Sequence, residues 1–136
     1  MVDLNDIVMD TIGLVHYLED DLPRSAAAAV ERVELGEGTI LLPQIALAEF
    51  TYIALKGRLR LSNSFSAVEQ IIDQIKSSQF ISISSMPVDA WAPFVHLAIP
   101  ELHDRMIAVE ALVRKIPLIS NDPSFETVKG LKVIWR

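Results

Sequence analysis

The sequence predicts an α/β protein whose parallel sheet is covered by helices on both faces. Short strand-like segments alternate along the chain with segments of helical periodicity, as they do in parallel sheets with crossover helices. The first strand-like segment is an almost continuous apolar run, which is typical of a strand buried on both faces. The 136 residues correspond to one ordinary domain, and the 51% that are hydrophobic suffice for a substantial core. We therefore expect a single domain over 1–136.

The first half of the chain is predicted to contain two strands and three helices. The apolar segment DIVMD at 6–10 is the first strand, and a helix with apolar residues on one face follows from Thr11 to about Glu19. The second helix is expected to have Ser25 as its N-cap and to stop at Gly36. The remaining elements are a short strand over 39–42 and a helix that Pro43 opens and Gly57 ends.

The second half is predicted to contain three helices and three strands. Asn63 or Ser64 is the expected cap of a helix that runs to about Ser77 with apolar residues at helical spacing. The alternating segment FISIS at 80–84 is a strand. The other elements are helices from Pro87 to about Leu97 and from about Leu102 to Arg114, and strands over 117–120 and 132–135.

Composition excludes several classes of function. The chain has no cysteine, which excludes disulfide frameworks, zinc–thiolate sites and thiol nucleophiles. No apolar run approaches the roughly 20 residues that span a bilayer, and the acidic start MVDLND is unlike a signal peptide. A cytoplasmic setting without membrane contact is therefore expected. The net charge of −6 argues against binding nucleic acid by phosphate neutralisation alone, but it is compatible with a metal nuclease.

Four carboxylates interrupt apolar stretches of the chain: Asp10, Glu49, Asp104 and Asp122. Two of them, Asp10 and Asp122, come at the carboxyl ends of predicted strands, where open parallel sheets bind their ligands. An unpaired carboxylate is costly to bury, and no cationic partner is evident beside these four. A divalent cation is the expected counter-charge, and a set of oxygen ligands favours Mg²⁺ or Mn²⁺.

Each acid also has a simpler explanation on its own. Asp10 and Asp122 are good helix N-caps, the latter with Pro123 at the first helical position. Asp104 lies in the first turn of its helix, where the helix dipole favours it, and the adjacent Arg105 could pair with a carboxylate. Glu49 could lie on a half-exposed helix face or pair with a lysine. Only their joint placement favours a single site.

The remaining candidates carry weaker signals. His16 and His96 lack metal-ligand spacing and are expected to be ordinary helix residues, whereas His103 adjoins Asp104 and is a candidate substrate contact. Lys56, Arg58 and Arg60 form a basic cluster at the end of a helix. They either interact favourably with the helix dipole or contact a phosphate group or a partner protein. The chain contains neither a phosphate-binding glycine loop nor a Gly-x-Ser-x-Gly elbow.

The motifs resemble those of PIN-domain ribonucleases, specifically the VapC-like toxins of bacterial and archaeal toxin–antitoxin pairs. The resemblance covers nearly the whole chain and rests on the order and spacing of several short motifs. They are Asp10-Thr11, Leu47-Ala48-Glu49-Phe50, Gly57-Arg58-Leu59, Asp104-Arg105-Met106-Ile107-Ala108, Leu118-Ile119-Ser120-Asn121-Asp122-Pro123 and Ile134-Trp135.

This resemblance implies a three-layer α/β/α sandwich with a mostly parallel central sheet, and Mg²⁺- or Mn²⁺-dependent endonucleolytic cleavage of RNA. It implies that the four acids hold the metal and orient water, and that the chain forms a homodimer and binds a cognate antitoxin. Thr11, Ser120 and Asn121 would then support the site, and Arg58, Arg105 and His103 are the candidate contacts of substrate or partner.

Two departures from the family pattern favour an alternative function. Ile12 stands where the family usually has Asn or His, and the stretch IPELHD before Asp104 is shorter than usual. These departures are compatible with a catalytically weak PIN-like module that mainly engages a partner protein.

Overall fold

The structure of the protein, a computed structural model, describes residues 5–136 and contains the expected parallel sheet. Its strands lie in the order β3-β2-β1-β4-β5, and every pairing in the sheet is parallel rather than only most of them. The central strand β1 is buried on both faces, since its three side chains are almost inaccessible. The strands are β1 (Ile7–Met9), β2 (Ile40–Pro43), β3 (Ile81–Ser84), β4 (Leu118–Ile119) and β5 (Val133–Ile134).

Six α-helices accompany the sheet within the described residues, in the α/β/α arrangement that the sequence predicted. The core lies between them and the strands, and its largest buried side chains include Phe50 and Phe125. No helix within residues 5–136 is long and apolar enough to cross a membrane. The helices are α1 (Thr11–Leu18), α2 (Arg24–Arg32), α3 (Gln44–Leu55), α4 (Phe65–Ser77), α5 (Trp91–His96) and α6 (Leu102–Arg114).

The start of α2 differs from the prediction. Ser25 is not the N-cap, because the helix begins one residue earlier, at Arg24, after the extended residue Pro23. Proline fixes its own φ in the range that precedes a helix, and the Pro23 carbonyl accepts the hydrogen bond from Ala27 N at 2.8 Å. At the other end, Gly36 closes a wider turn over Val33–Glu37 with a φ of 87°, as its position predicted. Of the two expected caps of α4, Ser64 is the one observed.

The predicted helix over 87–97 is divided. A 3₁₀ turn over Val88–Ala90 precedes α5, which begins only at Trp91. Pro93 explains the division, because in one continuous helix it would lack an interior N–H hydrogen bond and clash with the preceding turn. Beginning the helix at Trp91 places Pro93 in the first turn. A backbone N–H in the first turn has no partner within the helix, so the N–H that proline lacks is not missed there.

One buried acid that the sequence did not single out fastens β3 to α6. Glu110 is 1% exposed, and its Oε2 accepts hydrogen bonds from the Ser84 hydroxyl and from Arg114 Nε, the latter at 3.1 Å. Arg114 also donates to the Ser85 carbonyl at 3.0 Å. Because the carboxylate has both a cation and a hydroxyl as partners, its burial is explained within the fold.

Candidate functional site

The candidate site lies between β1 and β4, where the strand order of the sheet reverses. Strand β1 has β2 on one side and β4 on the other, so a crevice opens beyond the carboxyl ends of β1 and β4. Asp10 follows β1 directly, and Asp122 follows β4 after two residues. The crevice holds a cavity of about 480 Å³ lined by Asp10, Thr11, Ile12, Glu49, Ile53, Asp104, Asn121, Asp122 and Pro123. All four acids singled out in the sequence therefore face one cavity.

Asp10 is both a helix cap and a member of this cluster. Its Oδ1 accepts a hydrogen bond from Gly13 N at 2.7 Å at the start of α1, and its side chain is nearly inaccessible to solvent. Burial raises the pKa of Asp10 to about 6, and repulsion from Asp122 and Glu49 adds to that increase. Hydrogen bonds from Ser120 and Gly13 lower the pKa and offset only part of it.

Asp104 is repelled by several neighbouring carboxylates. It lies in the first turn of α6, as predicted, but it is half-buried and faces other carboxylates. Burial raises its pKa to about 7, and repulsion from Glu101, Asp122, Glu49 and Asp10, in decreasing order, contributes further. A favourable interaction with the helix dipole therefore does not account for its position.

The other two acids are fixed by neighbouring hydroxyl and amide groups. The Thr11 hydroxyl donates a short hydrogen bond to Glu49 Oε1. Asp122 caps the 3₁₀ turn Pro123–Thr127 by accepting from Ser124 N at 2.9 Å. The Ser120 hydroxyl accepts from Asp122 N at 3.1 Å and also hydrogen-bonds to Asp10. Thr11 and Ser120 thus hydrogen-bond to Glu49 and Asp10, respectively.

The cluster fits a divalent cation by its charge and by the chemistry of its donors. Every titratable group that lines the cavity is a carboxylate, and no lysine or arginine pairs with one of the four among the described residues. Carboxylate oxygens are the ligands that Mg²⁺ and Mn²⁺ prefer. In residues 5–136 no group of three or more such side chains is yet placed to hold an ion directly.

The three candidate contact residues have different surroundings. Arg105 does not pair with a carboxylate, because its guanidinium donates to the carbonyls of Ile99 and Leu97 at 2.7 and 2.9 Å. It fastens the loop before α6 instead. His103 lies at the rim of the site, with Nδ1 3.7 Å from Glu49 Oε2 and 2.7 Å from Glu101 Oε1. Arg58 is exposed after α3 and does not line the cavity.

Sequence reasoning missed Gly13, which lets α1 approach the site closely. A Cβ atom at this position would lie 3.0 Å from Met9 Cγ, 3.1 Å from Asp10 Oδ1 and 3.1 Å from the Ile119 carbonyl oxygen. The signal available in the sequence was a glycine inside a predicted helix. Glycine there costs about 1 kcal/mol relative to alanine, which indicates a packing requirement at that position.

Replacing Gly13 by Ala is expected to destabilise the protein by about 1–3 kcal/mol, the usual cost of overpacking. In an open helix the same change would stabilise by up to about 1 kcal/mol. Urea unfolding measures the difference, with Ser66→Ala on the exposed face of α4 as the control. Increased stability of the Gly13→Ala variant would show that the close approach is not a constraint.

Comparisons with known proteins agree with the observed fold. The family model described as "PIN domain" matches residues 7–131. A VapBC2 structure from Rickettsia felis bound to a promoter DNA fragment has a TM-score of 0.72 at 20% identity, and the match covers 94% of this chain and 96% of that one. DNA-bound VapBC from Salmonella typhimurium has a TM-score of 0.66 at 19% identity, and the match covers 98% of this chain and 97% of that one. A toxin–antitoxin complex from Klebsiella pneumoniae has a TM-score of 0.61 at 16% identity, and the match covers 92% of this chain and 94% of that one. No curated protein is significantly similar to the chain in sequence.

Proposed function

This chain belongs to the PIN domain family, and on that premise we propose that it is a Mg²⁺- or Mn²⁺-dependent endoribonuclease. We further propose that it acts as the toxin of a type II toxin–antitoxin pair. The observation that carries the proposal is the set of four carboxylates around one cavity at the carboxyl edge of the sheet. No lysine or arginine of the described residues pairs with any of the four, and His103 at the rim lies 3.7 Å from Glu49 Oε2. Such an excess of negative charge is costly unless a cation binds there.

In this proposal Asp10, Glu49, Asp104 and Asp122 hold the metal. A bound ion would supply the positive charge that stabilises the phosphodiester transition state and lowers the pKa of water. The Gly13 amide and the Ser120 hydroxyl fix the carboxylate of Asp10. Asp10 and Asp104, whose pKa values are raised, must lose their protons before they act as ligands. Asn121 lines the cavity and would contact the substrate or support the ligands.

Partner proteins are proposed on two separate apolar surfaces. A groove between α1, α3 and α4 has a volume of about 280 Å³ and is lined by Val15, Leu18, Glu19, Phe50, Arg60, Leu61, Ile71 and Gln74. It suits the apolar segment of an antitoxin.

The second surface lies on α5 and at the start of α6, and we propose it for homodimerisation. Three of its apolar side chains are more than half exposed: Trp91, Val95 and Leu102.

One observation favours the alternative of a module that mainly binds a partner. Ile12 lines the carboxylate cavity and is 40% exposed, so an apolar side chain stands where a polar group would assist a ligand or water. The activity of the purified chain decides between the two functions.

The test is cleavage of labelled single-stranded RNA by the purified chain in EDTA and in Mg²⁺ or Mn²⁺. We expect cleavage only with the metal, and a rise in the melting temperature of the protein on metal addition, because binding to the folded state stabilises it. A chain that neither cleaves RNA nor changes its melting temperature in either metal would instead be a binding module.

A further inference from the structure

Two further clefts continue from the carboxylate cavity along β5, and together we name them the β5 track. The inner cleft, of about 330 Å³, shares Asn121 and Asp122 with the carboxylate cavity and is also lined by Val133, Trp135 and Arg136. The outer cleft, of about 340 Å³, shares those last three residues with the inner one and extends towards α2. The three spaces therefore adjoin one another through shared lining residues, from the carboxylate site to the edge of the sheet at β5.

The outer cleft is positively charged although the protein is acidic. Arg32, Lys132 and Arg136 line it, and no aspartate or glutamate side chain of residues 5–136 does. None of the three takes part in an ion pair within residues 5–136. The chain as a whole has 18 acidic and 12 basic residues, and three of the basic residues line this one cleft. Such a cleft is complementary to a ligand with several negative charges.

Trp135 connects the two clefts and is held firmly in place. Its carbonyl accepts a hydrogen bond from Ala26 N at 3.0 Å, which ties it to the start of α2. Its ring contacts the His16 ring edge-on at a centroid distance of 5.1 Å, and the side chain is half-buried. An aromatic ring beside a row of cations is the combination with which proteins bind single-stranded nucleic acid.

We propose that single-stranded RNA extending from the carboxylate site runs along the β5 track, with its phosphates paired to Arg136, Lys132 and Arg32 and a base against Trp135. The inference rests on the proposed function only for the position of the cleaved phosphate. Glu126 lines the inner cleft and repels phosphates, so the favourable phosphate contacts lie farther out, in the outer cleft. The track also explains how an acidic protein gains affinity for a polyanion.

The test is the affinity for a single-stranded RNA of about 12 nucleotides, measured by fluorescence anisotropy in EDTA, where no metal contributes and no cleavage is expected. For single strands each phosphate contact contributes a salt slope of about 0.7, or about fivefold in affinity at 0.1 M salt. Arg32→Gln combined with Lys132→Gln is therefore expected to weaken binding by about 25-fold and to lower the slope of log K against log salt by about 1.4.

The matched control combines Lys76→Gln with Lys129→Gln. Lys76 lies in the last turn of α4 as Arg32 does in α2, and Lys129 lies in the same loop as Lys132, yet neither lines the β5 track. The control changes the net charge equally and is expected to leave the salt slope unchanged. An equal loss of affinity in both double variants, or a wild-type chain that binds no single-stranded RNA, would overturn the inference. Failure of the proposed function would appear separately, as absent cleavage in Mg²⁺ or Mn²⁺ by a chain that still binds RNA through the track.

Discussion

Replacing Asp104 by Asn is expected to abolish metal-dependent RNA cleavage and, at pH 8, to raise the melting temperature of the metal-free protein. Both effects have the same cause. The pKa of Asp104 is raised to about 7, so at pH 8 its carboxylate is ionised against Glu101, Asp122, Glu49 and Asp10. Asn keeps the shape and removes the repulsion, which stabilises the fold, but it also removes the charge that would hold a cation.

The activity should fall by more than the roughly 100-fold that loss of a residue supporting a metal ligand costs. Cleavage rates in Mg²⁺ and thermal unfolding in EDTA measure the two effects on the same preparation. Asp73→Asn on the exposed face of α4 is the control, since it removes an equal charge away from the site. Lower stability together with lost activity would mean that Asp104 supports the fold rather than the reaction.

Asp10→Asn extends this test, because Asn is also a good helix cap and preserves the interaction with Gly13 N. A variant that retains the cap but loses cleavage separates the two explanations that the sequence offered for this residue. The structure shows that the explanations are compatible: the hydrogen bond that caps α1 also orients the carboxylate towards the cavity.

The convergence of the acids was predictable for Asp10 and Asp122, and less so for the other two. In a parallel sheet the carboxyl ends of all strands lie on one edge, so acids that come within a few residues of the ends of the neighbouring strands β1 and β4 are brought close to each other. Glu49 and Asp104 lie on helices, and a helical pattern gives the buried face without giving the neighbour that it meets. Their meeting was inferred from family motifs and from the cost of burying an unpaired acid.

What the sequence could not provide depends on contacts between distant segments. Arg105 has two loop carbonyls as partners, and no local pattern distinguishes these from a carboxylate. The importance of Gly13 depends on the Ile119 carbonyl, more than 100 residues away in sequence. The β5 track depends on the closeness of α2 and β5, which only the order of the strands determines.

The stability of the metal-free protein is expected to decrease as the pH rises from about 4 to about 8. The pKa of Asp10 is raised to about 6 and that of Asp104 to about 7, from 3.8 in the unfolded chain. Between these values the folded state binds more protons than the unfolded state, so the free energy of unfolding falls with rising pH. The stabilisation is complete below about pH 4 for these two groups and is lost as the pH passes their folded-state pKa values.

For Asp10, which is almost fully buried, the loss is on the order of 3 kcal/mol, from about 1.4 kcal/mol per pKa unit. Melting temperatures across this pH range in EDTA measure it, and Asp10→Asn and Asp104→Asn should each flatten the profile. Mg²⁺ should raise the melting temperature most at pH 8, because the cation binds the ionised carboxylates and competes with protons for them. A profile that rises with pH in EDTA would contradict the raised pKa values of Asp10 and Asp104. A metal effect that is largest at pH 5 would contradict a cation site at the four carboxylates, because protons and metal would then not compete for the same oxygens.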